Sequence, residues 1–276
     1  MRKSVLVTGA SSGIGLSTAR EFLKNGFLVF AGLRHLRHGH ELMEFATTLH
    51  FLDQLQLIEL DVDNDHSVEQ ATHKISAATG QLDVVINNAG FGYLGASADM
   101  TVKEVKGQFE TNFFGVHRVI KSMLPLIETV NGTIINISSI SGHITFPLSG
   151  IYCASKHALE AYTESLWMEL RPLGIHVYLV EPGAIATNFY RKGSKQANSQ
   201  FFTTRYEKVR SVAPISQTGR TGWRSPPEEV ARKIYWIANT KPHRLRHFVG
   251  RFSTILPLAH YILPTEVFYW FLGRFF

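Results

Sequence analysis

The sequence predicts an α/β fold: a doubly wound sheet of seven parallel strands with helices on both faces. Three observations predict it. Short apolar runs recur along the chain, and a strand buried on both faces reads as such a run rather than as an alternating one. Stretches with helical spacing separate those runs, which is the alternation of a parallel sheet. A glycine-rich turn lies between the first run and the first helix, the arrangement that sets phosphate on a helix N-terminus.

Residues 4–7, Ser-Val-Leu-Val, form the first strand. The turn is Thr8-Gly9-Ala10-Ser11-Ser12-Gly13-Ile14-Gly15. Its glycines permit a tight turn and close approach of backbone to pyrophosphate. Further strands are expected at 27–32, 55–60, 82–87, 133–137 and 175–180, with Phe248-Val249 inside a seventh. Helices are expected near 13–24, 40–50, 66–78, 101–129, 152–171 and 227–238. Right-handed crossovers wind such a chain both ways and put ligands beyond the carboxyl ends of the strands.

A chain of 276 residues, 45% of them hydrophobic, can bury a large core. With no Pro/Gly/Ser-rich linker and no repeat, residues 1–253 are expected to form one dinucleotide-binding and catalytic domain. The net charge is +6, but the basic residues are scattered apart from a cluster at Arg34 to His40. An anionic cofactor explains that cluster more economically than nucleic acid does. Cys153 is the single cysteine, which excludes an internal disulfide and fits a reducing, cytoplasmic compartment. Met1-Arg2-Lys3 runs straight into a strand, so no signal peptide is expected. The 13 histidines form no compact ligand set, and no metal is expected.

Tyr152 and Lys156 stand four residues apart, about one helical turn, so both side chains share a face. A phenol has a pKa near 10 in water. A close ammonium favours the phenolate, and a drop of about 2 to 3 units takes roughly 3 to 4 kcal/mol, within reach of a partly desolvated cation. Tyr-x-x-x-Lys thus supplies a general acid/base for neutral pH.

Thr8-Gly-x-x-x-Gly-x-Gly15, Asn87-Asn88-Ala89-Gly90, Asn112, Ser139, Tyr152-x-x-x-Lys156 and Pro182-Gly183 with Thr187 together resemble the short-chain dehydrogenase/reductase family. The resemblance covers about residues 3 to 250, includes thirteen residues from Ser139 to Tyr152, and implies a Rossmann-type fold. The segment after Tyr152 is most similar to the hydroxysteroid and retinol dehydrogenase branch. By this resemblance Tyr152 exchanges the proton of the reacting oxygen, and Lys156 lowers its pKa and bonds the nicotinamide ribose. Ser139 polarises the substrate oxygen, with Ser138 the near alternative. Asn112 supports a water between Lys156 and solvent. The cofactor contacts implied are Gly9, Ser11, Ser12, Gly13, Ile14 and Gly15 in the turn, then Arg34, Asp61 and Val62. Asn88, Ala89 and Gly90 follow, and Tyr152, Lys156, Pro182, Gly183, Ile185 and Thr187 complete the set.

NAD-binding folds usually carry an acid about 20 residues past the glycines. Leu33 occupies that place, and Arg34 follows it, with Arg37 and Ser11 near. A cation suits a 2′-phosphate, so NADP(H) is preferred over NAD(H). Asp61 matches an adenine contact, or else caps the next helix.

Residues 188–225 are expected to form a substrate lid carrying Phe189, Tyr190, Phe201, Phe202 and Tyr206, among Arg191, Lys192, Lys195 and Arg205. Phe91, Tyr93, Leu94, His143, Ile144, Phe146 and Leu148 are expected to flank the site. Such walls suit a bulky apolar alcohol or ketone, or are simply packing. Residues 254–276 are apolar but broken by Pro257 and Pro264, too short to span a bilayer. They suit a subunit contact in a homodimer or homotetramer, a cover for the substrate mouth, or a peripheral membrane contact. Two other functions fit the same residues: an epimerase or dehydratase that regenerates its cofactor, and a non-catalytic nucleotide sensor.

Overall fold

The computed structural model describes residues 2–187, 189, 194–196 and 224–275. Seven strands form one parallel sheet: β1 (Ser4–Thr8), β2 (Leu28–Leu33), β3 (Leu55–Glu59), β4 (Val84–Asn87), β5 (Thr133–Ile137), β6 (His176–Pro182) and β7 (Arg246–Val249). Their spatial order is 3-2-1-4-5-6-7. The order reverses between β1 and β4, which opens a crevice at their carboxyl ends. Most strand ends fall within one or two residues of expectation. β6 runs on to Pro182 because Pro182 still pairs with Val249.

Strand alternation divides the core in two. Val5 and Val7 face one layer with Ala19, Phe22 and Leu23 of α1 (Gly13–Lys24) and Ile234 of α7 (Pro227–Thr240). α2 (His40–Thr48) adds Leu42 and Ala46 to this layer. Leu6 faces the other layer with Val68 and Ile75 of α3 (Asp65–Thr79), Val119 and Met123 of α5 (Gly115–Glu128), and Leu159 of α6 (Gly150–Leu170). Local signals set the helix ends. Asn64 caps α3 by accepting from Ser67 N at 3.0 Å, and Gly80 ends it at φ 68°. Thr101 and Glu104 form a reciprocal capping box on α4 (Val102–Phe109).

The helix expected over 101–129 is not continuous. A π-helical turn, Glu110–Phe114, separates α4 from α5. Such turns insert a residue and re-aim its side chain, and this one contains Asn112. The C-terminal residues form α8 (Ile255–Ile262) and α9 (Thr265–Phe275). Pro264 separates them as expected. Pro257 does not break α8, because it lies in the first turn, where backbone N–H groups have no helical partner. No helix among the described residues is long and apolar enough to cross a membrane. Of the expected lid, Phe189, the strand Ser194–Gln196, paired in parallel with Gly92–Leu94, and Arg224 and Ser225 are described. Tyr190, Arg191, Lys192, Phe201, Phe202, Arg205 and Tyr206 lie outside the described residues.

Candidate active site

The glycine turn is built against β4. Thr8 Oγ1 accepts from the backbone N of Asn88 and of Ala89, both at 3.0 Å. Asn88 Nδ2 donates to Thr8 O at 2.9 Å and Gly9 O at 3.2 Å. A Cβ on Gly15 would stand 2.4 Å from both Gly9 O and Asn88 Nδ2, and one on Gly9 would meet Ala89 Cα at 2.9 Å. Two of the three glycines therefore let the turn close on the Asn88 segment. Gly13 instead adopts φ 56° and opens α1. The α1 N-terminus, with Ser11, Ser12, Gly13 and Ile14, points into a cavity of about 950 Å³. Unpaired N–H groups there favour an anion.

The cavity runs from a basic end to a phenol end. Arg34, His35, Arg37 and His38 line the first, beside Asp61 and Val62. Arg34 lies 3.3 Å from Asp61 Oδ1 through Nε and 3.5 Å from Asp63 Oδ2 through Nη2. Burial, partly offset by the hydrogen bond from Thr111 Oγ1, pushes the Asp63 carboxyl above the usual range. Asn64 caps α3, and Asp61 Oδ1 instead accepts from Asp63 N at 3.2 Å. Leu33 is 1% exposed and packs in the core; Arg34 is the residue of this pair that lines the cavity.

Asn88, Ala89 and Gly90 also line the cavity, as do Pro182, Gly183, Ile185 and Thr187, and a Cβ on Gly13 would stand 3.3 Å from Thr187 Cβ. Gly183 is required by close approach: a Cβ there would lie 2.1 Å from Arg251 O. The other end holds Ser138, Ser139, Tyr152, Lys156, Phe91 and Phe189. Lys156 Nζ donates to Ile137 O at 2.8 Å and lies 6.0 Å from the Tyr152 ring centroid. Burial lowers the Lys156 pKa to about 8, with Glu160 opposing that shift. Ser139 Oγ accepts from Ser141 N at 3.1 Å, which leaves its own proton to donate. The Phe189 ring stands 5.6 Å from that of Tyr152.

Asn112 is buried and sits behind the cavity wall. Its Nδ2 donates to Phe91 O and Ser155 Oγ, both at 3.0 Å, and its Oδ1 accepts from Phe91 N at 3.1 Å. It joins the Phe91 segment to α6. Gln108, one turn earlier, holds the same segment to α4, donating to Phe91 O and accepting from Tyr93 N, both at 2.7 Å. Sequence reasoning missed Gln108; its i−4 spacing from Asn112 was the available signal. Of the seven expected flanking residues only Phe91 lines the cavity; Tyr93, Leu94 and Leu148 do not, and the other three have partners elsewhere. His143 Nε2 pairs with Glu181 at 2.8 Å, and Ile144 packs on Phe268 and Leu272 of α9, with Phe146 beside them. The carboxylate of Glu181 and apolar packing on α9 hold these three off the cavity, whereas Phe91 stays on it.

A family model described as short chain dehydrogenase matches residues 3–198. A 3-ketodihydrosphingosine reductase of Bacteroides thetaiotaomicron is 40% identical over 254 residues, covering 91% of this chain and 89% of that one. A solved short-chain dehydrogenase from Streptomyces avermitilis superposes with a TM-score of 0.83 at 29% identity, over 94% of this chain and 92% of that one. The structure of ElxO with NADP bound superposes with a TM-score of 0.73 at 29% identity, over 90% and 97% of the two chains.

Proposed function

The chain belongs to the short-chain dehydrogenase/reductase family, and on that premise we propose that it is an NADP(H)-dependent oxidoreductase interconverting a carbonyl and an alcohol on a bulky apolar substrate. The observation that carries this reading is one cavity with a helix N-terminus and Arg34 toward one end and Tyr152 beside Lys156 at the other. Its volume falls within the range of small-molecule and cofactor sites. The cavity fits a dinucleotide phosphate by its chemistry: backbone N–H groups for the pyrophosphate, and Arg34 with Arg37 for a 2′-phosphate. NADP bound to ElxO supports that choice.

When bound, the nicotinamide supplies or accepts the hydride. Tyr152 gives its proton to the carbonyl oxygen in reduction and takes it back in oxidation. Lys156 favours the phenolate by its charge and would hold the nicotinamide ribose. Ser139 donates to the same substrate oxygen and polarises it. Asn112 supports the water between Lys156 and solvent by holding Phe91 and Ser155 in place. Gly9, Ser11, Ser12, Gly13, Ile14, Asp61, Val62, Asn88, Ala89, Gly90, Pro182, Gly183, Ile185 and Thr187 complete the cofactor wall, while Gly15 shapes the turn from behind.

Phe91 and Phe189 beside Tyr152 support an apolar substrate. The relative named for 3-ketodihydrosphingosine favours a long-chain ketone over the steroid and retinoid substrates of the hydroxysteroid and retinol branch. Residues 1–253 act as one catalytic domain with 188–225 as its lid. The active form is a cytoplasmic homodimer or homotetramer, a state supported by the exposed apolar residues of α8 and α9, Ile255, Tyr261, Ile262 and Trp270 among them. The test is NADPH oxidation against long-chain 3-ketones, steroids, retinal and short polar sugars. Stoichiometric oxidation with the long-chain ketones, faster with NADPH than NADH, is the expected result. Binding of NADPH without net oxidation on any carbonyl would sink the reading, and epimerisation with cofactor regenerated would replace it.

A further inference from the structure

Four elements meet on one buried charge cluster that the proposed reaction does not use. His143 comes from the turn after β5, Glu160 and Glu164 from α6, Glu181 from β6 and Arg246 from β7. Glu160 is 5% exposed and Glu181 0%. Carboxylates this deep are costly unless paired and hydrogen-bonded. Arg246 is their cation. Its Nη1 bonds Glu160 Oε2 and, at 3.0 Å, Glu181 Oε1, and its Nη2 bonds Glu164. His143 Nε2 lies 2.8 Å from Glu181 Oε2 and 3.1 Å from Arg246 Nη1. One ring nitrogen cannot donate to the first and accept from the second. A proton on Nε2, aimed at Glu181, is the arrangement that sets no lone pair against the carboxylate.

The cluster touches both sides of the reacting centre. Glu160 follows Lys156 by four residues, so the two share a face of α6. Its charge favours the Lys156 ammonium against burial. On its other side it lies under the turn that carries Ser139: a Cβ on Gly142 would meet Glu160 Oε1 at 2.8 Å and Ser138 Oγ at 3.0 Å. Arg246 carries the arrangement across to β7, whose pairing with β6 fixes the guanidinium in place.

We propose that Glu160 is a positioning residue: clamped by Arg246, it keeps Lys156 charged and seats the Ser138–Gly142 turn, so that one buried cluster aligns the proton donor and the polarising serine. This inference rests on the reading of Lys156 as the partner of Tyr152. The groups that face Glu160 are Lys156 and Glu164 from its own helix, Ser138 and His143 from the turn, Glu181 from β6 and Arg246 from β7. Burial, then repulsion from Glu181, raises the Glu160 carboxyl, and Arg246 works against both.

The test compares wild type with Glu160→Gln, Arg246→Met and Arg246→Lys in three measurements: the kcat profile against pH, the pH dependence of NADPH affinity by fluorescence, and Tm. In Glu160→Gln, kcat falls about tenfold or more while NADPH still binds. Lys156, without the neighbouring negative charge, loses its proton at lower pH, so the alkaline limb of kcat moves down by about half a pH unit or more. The pH dependence of NADPH affinity moves the same way. Arg246→Met loses more activity than Arg246→Lys, which keeps the charge without the fork and recovers part of it. A folded Glu160→Gln enzyme with the wild-type limb, or one that loses Tm while both profiles stay unchanged, overturns the proposal. Should Glu160→Gln fail to fold, Arg246→Lys carries the same readout, and unmoved profiles there overturn it equally. A wild type that binds NADPH but reduces no carbonyl defeats the reaction reading alone, and the affinity titration still decides the role of Glu160.

Discussion

At the scale of single residues, the proposed mechanism divides proton transfer between the Tyr152 phenol and the buried Lys156 ammonium. Tyr152→Phe removes one hydroxyl and keeps the ring beside Phe189, so kcat should fall by about 100 to 10,000-fold with NADPH affinity nearly unchanged. More than half of the activity remaining would remove Tyr152 from the mechanism. Lys156 adds a pH signature. Its pKa is lowered to about 8 by burial, so the ammonium is present below that pH and lost above it. Wild-type kcat should therefore decline as pH rises through about 8, and a flat profile to pH 10 would show that the ammonium is not needed. In the proposed reading, Arg34 is the residue of cofactor choice. It is half exposed and already near Asp61 and Asp63, and a 2′-phosphate would compete for it. Arg34→Ala should weaken NADPH by the loss of one charge-assisted bond, about 1.5 to 3 kcal/mol, and leave NADH affinity nearly unchanged. Equal weakening of both cofactors would contradict the assignment.

At the scale of elements, the carboxyl end of β2 teaches a separation between position and exposure. Leu33 stands where an acid would read a ribose, yet its side chain is buried in the core, and Arg34 turns to the cavity. Leu33→Asp should thus cost stability by burying an unpaired carboxylate rather than convert the enzyme cleanly to NAD(H). The π-helical turn at Glu110–Phe114 is the second case. Apolar spacing over 101–129 is helical throughout, so no local signal distinguishes a continuous helix from one with an inserted residue. The bulge makes sense only through its partners: Asn112 reaches Phe91 and Ser155, which come from other segments of the chain.

At the scale of the whole molecule, α9 links the C-terminal extension to the site. Phe268 and Leu272 pack on Ile144, and Tyr269 Oη bonds Thr145, so the extension holds the turn that follows Ser139. Phe268 is 3% exposed, and Phe268→Ala should cost about 3 kcal/mol, read as a Tm lower by roughly 6 to 12 °C in a chain of this size. An unchanged Tm would mean that α9 does not pack on this face in solution. The outer faces of α8 and α9 remain apolar and exposed, with Tyr261 89% exposed.

What the sequence by itself determined is what short spacing encodes. Three glycines within one turn, a Tyr and a Lys one helical turn apart, and apolar runs alternating with helical stretches each depend on residues near in the chain, so the doubly wound sheet and most of the cavity lining were legible. What only the tertiary structure decided is where side chains turn when their partners are far away in sequence. His143 reads as a pocket residue until Glu181 is seen beside it, and nothing local marks Glu160 until β7 brings Arg246 to it across 86 residues. The same is true of Ile144, which α9 claims from the substrate wall. A buried charge is stable only beside its opposite, and the partner that satisfies it is chosen by the pairing of β6 with β7, which no local pattern specifies.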